Sequence, residues 1–94
     1  MKVRVTDDAK ADLRQIKAFI GERNVIAAES VMDRIRKMLT LLAVLPRLGH
    51  TGLVHGTFEK GVPRVPYLIV YRFDKNDGER ELVLLRVYHG AQSR

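Results

Sequence analysis

Val65-Pro-Tyr-Leu-Ile-Val-Tyr-Arg-Phe73, Asp74-Lys-Asn-Asp-Gly-Glu-Arg80 and Glu81-Leu-Val-Leu-Leu-Arg-Val-Tyr-His89 follow one another near the end of the 94-residue chain. The outer two are rich in Val, Ile, Leu and Tyr, which fit a pleated, half-buried surface, and the middle one is turn chemistry. They predict an antiparallel hairpin. Side chains alternate across a strand, so the pairing register decides which residues share a face. With Phe73 placed opposite Glu81, the even-numbered positions lie together: Leu68, Val70, Arg72, Leu82, Leu84, Arg86 and Tyr88. Tyr67, Ile69, Tyr71, Phe73, Val83, Leu85 and Val87 then form the opposite, continuously apolar face, suited to helices. The even-numbered face is also more apolar than a solvated sheet needs to be, and its two arginines lie among leucines and valines, as on a surface that meets a partner.

Working back from the hairpin, Leu53–Lys60 reads as a weaker strand, interrupted by Gly56, and completes an antiparallel meander. Before Pro46 and Gly49 the period changes to a helical one. Ala28, Val31, Ile35, Met38, Leu39 and Leu42 mark the apolar stripe of a helix that Asn24 can cap and that stops short of Pro46. An earlier helix from about Asp7 to Glu22 carries Ala9, Leu13, Ile16, Phe19 and Ile20. Thr6 supplies its cap, Asp7 and Asp8 sit at the positive end of its dipole, and Lys10, Asp12, Arg14 and Lys17 are expected to face water. The very short link between the helices predicts an antiparallel pair, and Lys2–Val5 alternates as a strand. The expected fold is α+β, in the order β-α-α-β-β-β, a helical hairpin packed on a small antiparallel sheet, with residues 1–94 as one domain.

Composition narrows the function. The absence of cysteine excludes a disulfide framework, a cysteine-ligated zinc site and a thiol nucleophile. The longest nearly unbroken apolar run, Met38 to Leu45, is far shorter than the ~18 residues of a membrane span. No apolar signal segment follows Met1, so a cytoplasmic protein without membrane association is expected. Seventeen Lys and Arg stand against 11 Asp and Glu, a net charge of +6, and 11 of the cations are arginine. Arginine's planar fork pairs with phosphate or carboxylate in two places at once, so the surplus favours an acidic or polyanionic partner.

Catalytic patterns are sparse. His50, His55 and His89 are too dispersed for a metal motif, neither serine has companions for nucleophilic chemistry, and no glycine loop cradles phosphate, so neither metal nor cofactor is expected. What remains is Arg86, Tyr88 and His89 at the end of the last strand, with Arg64 before the third. A histidine beside Arg and Tyr could act as general acid or base in metal-free RNA cleavage, with arginine stabilising the phosphorane.

Three segments, Gly56-Thr-Phe-Glu59, Pro66-Tyr-Leu-Ile-Val-Tyr-Arg72 and Leu85-Arg-Val-Tyr-His-Gly-Ala91, follow a helical hairpin containing Ala11-Asp-Leu-Arg-Gln-Ile16, Phe19-Ile20 and Ala27-Ala28. Together they resemble the RelE/ParE toxin superfamily over nearly the whole chain. The resemblance implies the toxin of a bacterial type II toxin–antitoxin pair, held inactive in a hetero-oligomer by a cognate antitoxin whose acidic C-terminal segment wraps it. RelE-like members cleave mRNA on the ribosome with a cluster of basic residues and a terminal Tyr or His. ParE-like members lack that cluster and poison DNA gyrase. Leu68 stands where RNase relatives carry Arg, and Glu59, Lys60 and Gly61 offer a single cation where they carry lysines. The pattern is therefore ParE-like, although Phe58 and Gln92 replace arginines common in ParE-like chains.

The resemblance thus implies a gyrase inhibitor that arrests growth by binding, with Arg64, Arg72, Arg86, Tyr88 and His89 as target contacts. Leu13, Phe19, Leu68, Val70 and Leu84 are the expected antitoxin contacts, made to an amphipathic helix. A ribosome-dependent mRNA endoribonuclease using Arg86, Tyr88 and His89 is the alternative, and an inactive partner-binding module a third. On this reading the charge meets an acidic antitoxin, and then gyrase or its DNA complex, rather than free DNA.

Overall fold

A computed structural model describes residues 1–90. Strand β1 (Lys2–Val5) leads into helices α1 (Asp7–Gly21) and α2 (Val25–Val44). A 3-10 turn at Pro46–Leu48 follows, then β2 (His50–Thr51), β3 (Phe58–Gly61), β4 (Tyr67–Asn76) and β5 (Glu79–His89). The helix starts follow the sequence: the Thr6 and Asn24 side chains accept hydrogen bonds from the Ala9 and Ala27 amides, at 3.1 and 3.0 Å. The strand expected over Leu53–Lys60 is reduced to β3, because residues 52–57 form turns around Gly56 at a φ of 82°.

The sheet has five strands in the order β1-β5-β4-β3-β2. It is mixed rather than purely antiparallel, since β1 runs parallel to β5. Thr6 forms the corner where β1 ends: its amide donates to the Leu84 carbonyl, and its hydroxyl lies 3.0 Å from the Leu84 and Leu85 carbonyls. Beyond that corner α1 takes over the flank of β5 that β1 leaves open.

The hairpin register differs from the expected one by one residue. Phe73 pairs with Leu82 and Asp74 with Glu81, because Asn76 and Glu79 close a two-residue loop of Asp77 and Gly78. Both loop residues have positive φ, 53° and 80°, the conformation of the type I′ turn whose twist matches that of the strands. A one-residue slip turns side chains over to the other face. Leu82 and Leu84 therefore point to the helices and are fully buried with Tyr71 and Ile69. Val83 turns to the other face. A bulge at Leu85, between the Val70–Arg86 and Tyr71–Leu84 pairs, restores the expected parity, so Leu68, Val70, Arg86 and Tyr88 do share a face.

Both helices cover the same side of the sheet. Ala9, Ile35, Met38, Leu39 and Leu42 pack there on Tyr67, Ile69, Tyr71, Leu82, Leu84 and Val87. The other face has no helical layer, yet Val83 is wholly buried on it. Arg4 and Arg72 flank Val83 on the neighbouring strands. Their aliphatic stems can cover it while their guanidinium groups join Asp74 and Glu81 in an ion lattice.

Candidate functional site

The sequence-derived site residues separate onto the two faces of the sheet. Arg72, Arg86 and Tyr88 lie on the face without helices, as strand alternation requires. His89, one residue further, lies on the helix side beside its cross-strand partner Tyr67, with ring centroids 5.5 Å apart. Arg86, Tyr88 and His89 thus lie within four residues of one another in sequence but do not converge on one reacting atom. Arg64 sits in the exposed loop before β4, in a left-handed conformation at φ 68° that is uncommon for a residue with a side chain.

Two of the arginines are already clamped. The Arg86 fork donates to both oxygens of Asp12 on α1, at 2.7 and 2.9 Å, and its guanidinium carbon lies 4.9 Å from the Tyr88 ring centroid. Asp12 also accepts from the Val87 amide at 2.9 Å, satisfying the backbone donor that β5 would offer if β1 continued. Burial alone would raise the Asp12 carboxyl; the Arg86 fork and the Val87 amide outweigh it and hold the group below its ordinary range. The same hydrogen bonds, donated to Asp12, raise Arg86 further above its already high value.

Arg72 is likewise bidentate with Asp74, at 3.0 and 3.1 Å, and Arg4 bridges Asp74 and Glu81 at 3.2 and 2.8 Å. Hydrogen bonding from Arg72, ahead of the opposing desolvation, keeps Asp74 low. Asp12 was expected to face water, but its side chain is 11% exposed. The signal was present: Asp12 falls in helical register with Ile16 and Phe19, an acid set within an apolar stripe.

Alongside this clamp, α1 and the end of β5 enclose a groove of about 450 Å³ lined by Asp12, Gln15, Ile16, Phe19, Tyr67 and His89, among others. Phe19 is 68% exposed there, a large aromatic surface on an open groove. The other apolar candidates divide. Leu68 and Val70 are half-buried on the open face, whereas Leu13 packs inward against the core. Leu84, expected on the open face, is fully buried beneath the helices and offers no surface to a partner. Gln92, and the alanine of the terminal His-Gly-Ala, lie outside the described residues. Among the described residues, no group of three His, Asp or Glu side chains is placed to hold a metal ion, and no helix is long and apolar enough to cross a membrane.

This helical hairpin on one face of a five-stranded sheet is similar in fold to structures solved from several bacteria. A ParDE system of P. aeruginosa matches with a TM-score of 0.79 at 22% identity, over 95% of each chain. A YoeB/ParE toxin of Agrobacterium tumefaciens matches at 0.65 with 16% identity, over 95% of this chain and 98% of that one. The RelBE2 toxin–antitoxin complex of Mycobacterium tuberculosis matches at 0.59 with 28% identity, over 94% and 95%. In sequence, Y4kP, a candidate toxin of Sinorhizobium fredii NGR234, is 32% identical over 91 residues, 97% of this chain and 90% of the relative. The model of the ParE toxin of type II toxin–antitoxin systems matches residues 3–94. The chain belongs to that family.

Proposed function

We propose that this ParE-family toxin acts by binding DNA gyrase and blocking replication, without covalent chemistry of its own, and that a cognate antitoxin neutralises it. One observation carries the choice of mechanism. The cation that the endoribonuclease reading needs, Arg86, is held by both oxygens of the Asp12 carboxylate, as Arg72 is by Asp74, and His89 stands on the other face from Arg86 and Tyr88. Stabilising a phosphorane would require a guanidinium to abandon a charge-assisted pair in the transition state. Leu68, in the position where a further arginine would assist, is apolar.

The antitoxin reading rests on the groove beside α1. Ile16, Phe19 and Tyr67 offer an apolar surface of the kind an amphipathic helix fills, and the half-buried Leu68 and Val70 extend an apolar surface on the opposite face. Exposed Arg64 suits an acidic segment.

A pulse of toxin expression in cells lacking the antitoxin tests the mechanism. A DNA-damage reporter should rise before translation falls, with reporter mRNA intact in the ribosomal A site. Site-specific mRNA breaks that disappear in His89→Ala while growth recovers would establish the endoribonuclease instead.

A further inference from the structure

The surplus positive charge is less available on the open sheet face than the sequence implied, and a second location offers it without a counterion. A pocket of about 500 Å³ lies between the 3-10 turn and the sheet, with walls that include Arg47, Gly49, Phe58, Phe73 and Arg80. Its aromatic wall is one cluster: Phe58 stacks on Tyr71 at 5.8 Å between centroids and meets Phe73 at 5.4 Å. The Arg80 guanidinium lies over the Phe73 ring, 5.1 Å from its centroid. Lys75 is the cross-strand partner of Arg80 and so shares its face.

Arg47 is brought to this place by the backbone. The Tyr71 hydroxyl donates to the Pro46 carbonyl at 3.2 Å, and Gly49 lies so close that a Cβ there would stand 2.9 Å from the Glu59 carbonyl and would clash with the Tyr71 hydroxyl. Among the described residues no carboxylate pairs with Arg47, Lys75 or Arg80. Glu79 and Glu81 adjoin Arg80 in sequence, but alternation puts them on the opposite face, where Glu81 is held by Arg4. His50, which adjoins the pocket, has its Nε2 3.9 Å from Glu59 on that opposite face.

We propose that this pocket binds a nucleobase together with its adjoining phosphate, the base against Phe58 and the phosphate between the Arg47 and Arg80 forks. Flat aromatic surface and unpaired guanidinium groups are the two elements of sequence-tolerant recognition of single strands. An acidic peptide would satisfy the arginines and leave the aromatic wall without a partner. The ligand has two sources, a free nucleotide or a single strand of nucleic acid. The inference goes beyond gyrase inhibition and uses none of the residues on which that reading rests.

The 94-residue chain is titrated with a labelled short single-stranded oligodeoxynucleotide, its abasic counterpart, a mononucleotide and polyglutamate. The intact strand should bind about tenfold more tightly than the abasic one, since stacking on an aromatic ring commonly contributes that much or more. The double variant Arg47→Ala/Arg80→Ala should lose about tenfold, whereas Arg36→Ala/Lys37→Ala, which removes the same charge from ion pairs with Asp33, should stay within about twofold. Amide shifts in the unmodified protein should centre on Arg47, Gly49, Phe58 and Arg80, which removes any dependence on how the variants fold. A mononucleotide that competes as well as the strand identifies a free nucleotide; competition by the strand alone identifies nucleic acid; both support the site. Equal binding of intact and abasic strands, equal loss in the two double variants, polyglutamate competing as well as the strand, shifts centred on the open face, or no binding would each overturn it.

Discussion

Replacing Asp12 by alanine removes three hydrogen bonds at once: two from the Arg86 guanidinium and one from the Val87 amide. The amide faces a flank of β5 beyond the end of β1, so it loses its Asp12 acceptor there, a cost of about 1–3 kcal/mol for a buried donor. The ion pair adds less than a buried one would, because the Arg86 side chain is 41% exposed and water can replace part of the carboxylate. Together the two effects come to roughly 2–4 kcal/mol, or about 10–25 °C in Tm for a domain of this size. Asp12→Asn keeps an acceptor for the amide and should cost about half as much.

The pH dependence is distinctive. Asp12 is held below its ordinary value in the folded chain, so its contribution is fully present above the unfolded value of about 3.9 and is lost as pH falls through the lower folded value. Urea denaturation followed by circular dichroism at pH 7 and across the acid range, for wild type, Asp12→Asn, Arg86→Ala and the double variant, measures each part. The wild type should lose more stability than Asp12→Asn as pH falls below about 4. A coupling energy between Asp12 and Arg86 below about 0.5 kcal/mol, or identical acid limbs for wild type and Asp12→Asn, would refute the clamp.

Three further outcomes follow from the register and the turns. Leu84→Ala should cost about 2–5 kcal/mol, while Leu68→Ala on the open face should cost clearly less; chemical denaturation of the two side by side would show the order reversed if Leu84 were on the open face. Gly49→Ala should destabilise by more than about 1 kcal/mol, because its methyl meets the Tyr71 hydroxyl and the Glu59 carbonyl; an unchanged melt would contradict the close approach. Thr6→Ala should cost about 1–2 kcal/mol through the lost α1 cap and the hydroxyl contacts with β5, and an effect within experimental error would show that the corner is not held by this side chain.

The helices, their caps and the hairpin were legible because each rests on local chemistry: Thr6 and Asn24 before apolar stripes, and two runs of strand formers around turn residues. The faces were misread because register depends on loop closure. Asp77-Gly78 is itself the signal, since a two-residue loop with both φ positive fixes Asn76 opposite Glu79 and sends Leu84 inward. The bulge at Leu85 and the parallel pairing of β1 with β5 are long-range matches that no local pattern encodes. For the candidate site, sequence placed Arg72, Arg86 and Tyr88 on the correct face but could not show which charges were already spoken for. That depends on Asp12, 74 residues away from Arg86 in the chain.

The most direct test of the proposed mechanism uses purified toxin, released from its antitoxin, with purified DNA gyrase and plasmid. Supercoiling should fall and gyrase-dependent cleaved plasmid should accumulate as toxin is added, and stoichiometric antitoxin should abolish both effects. Unchanged supercoiling and cleavage at high toxin excess, with a preparation that still arrests growth when expressed, would contradict the proposal.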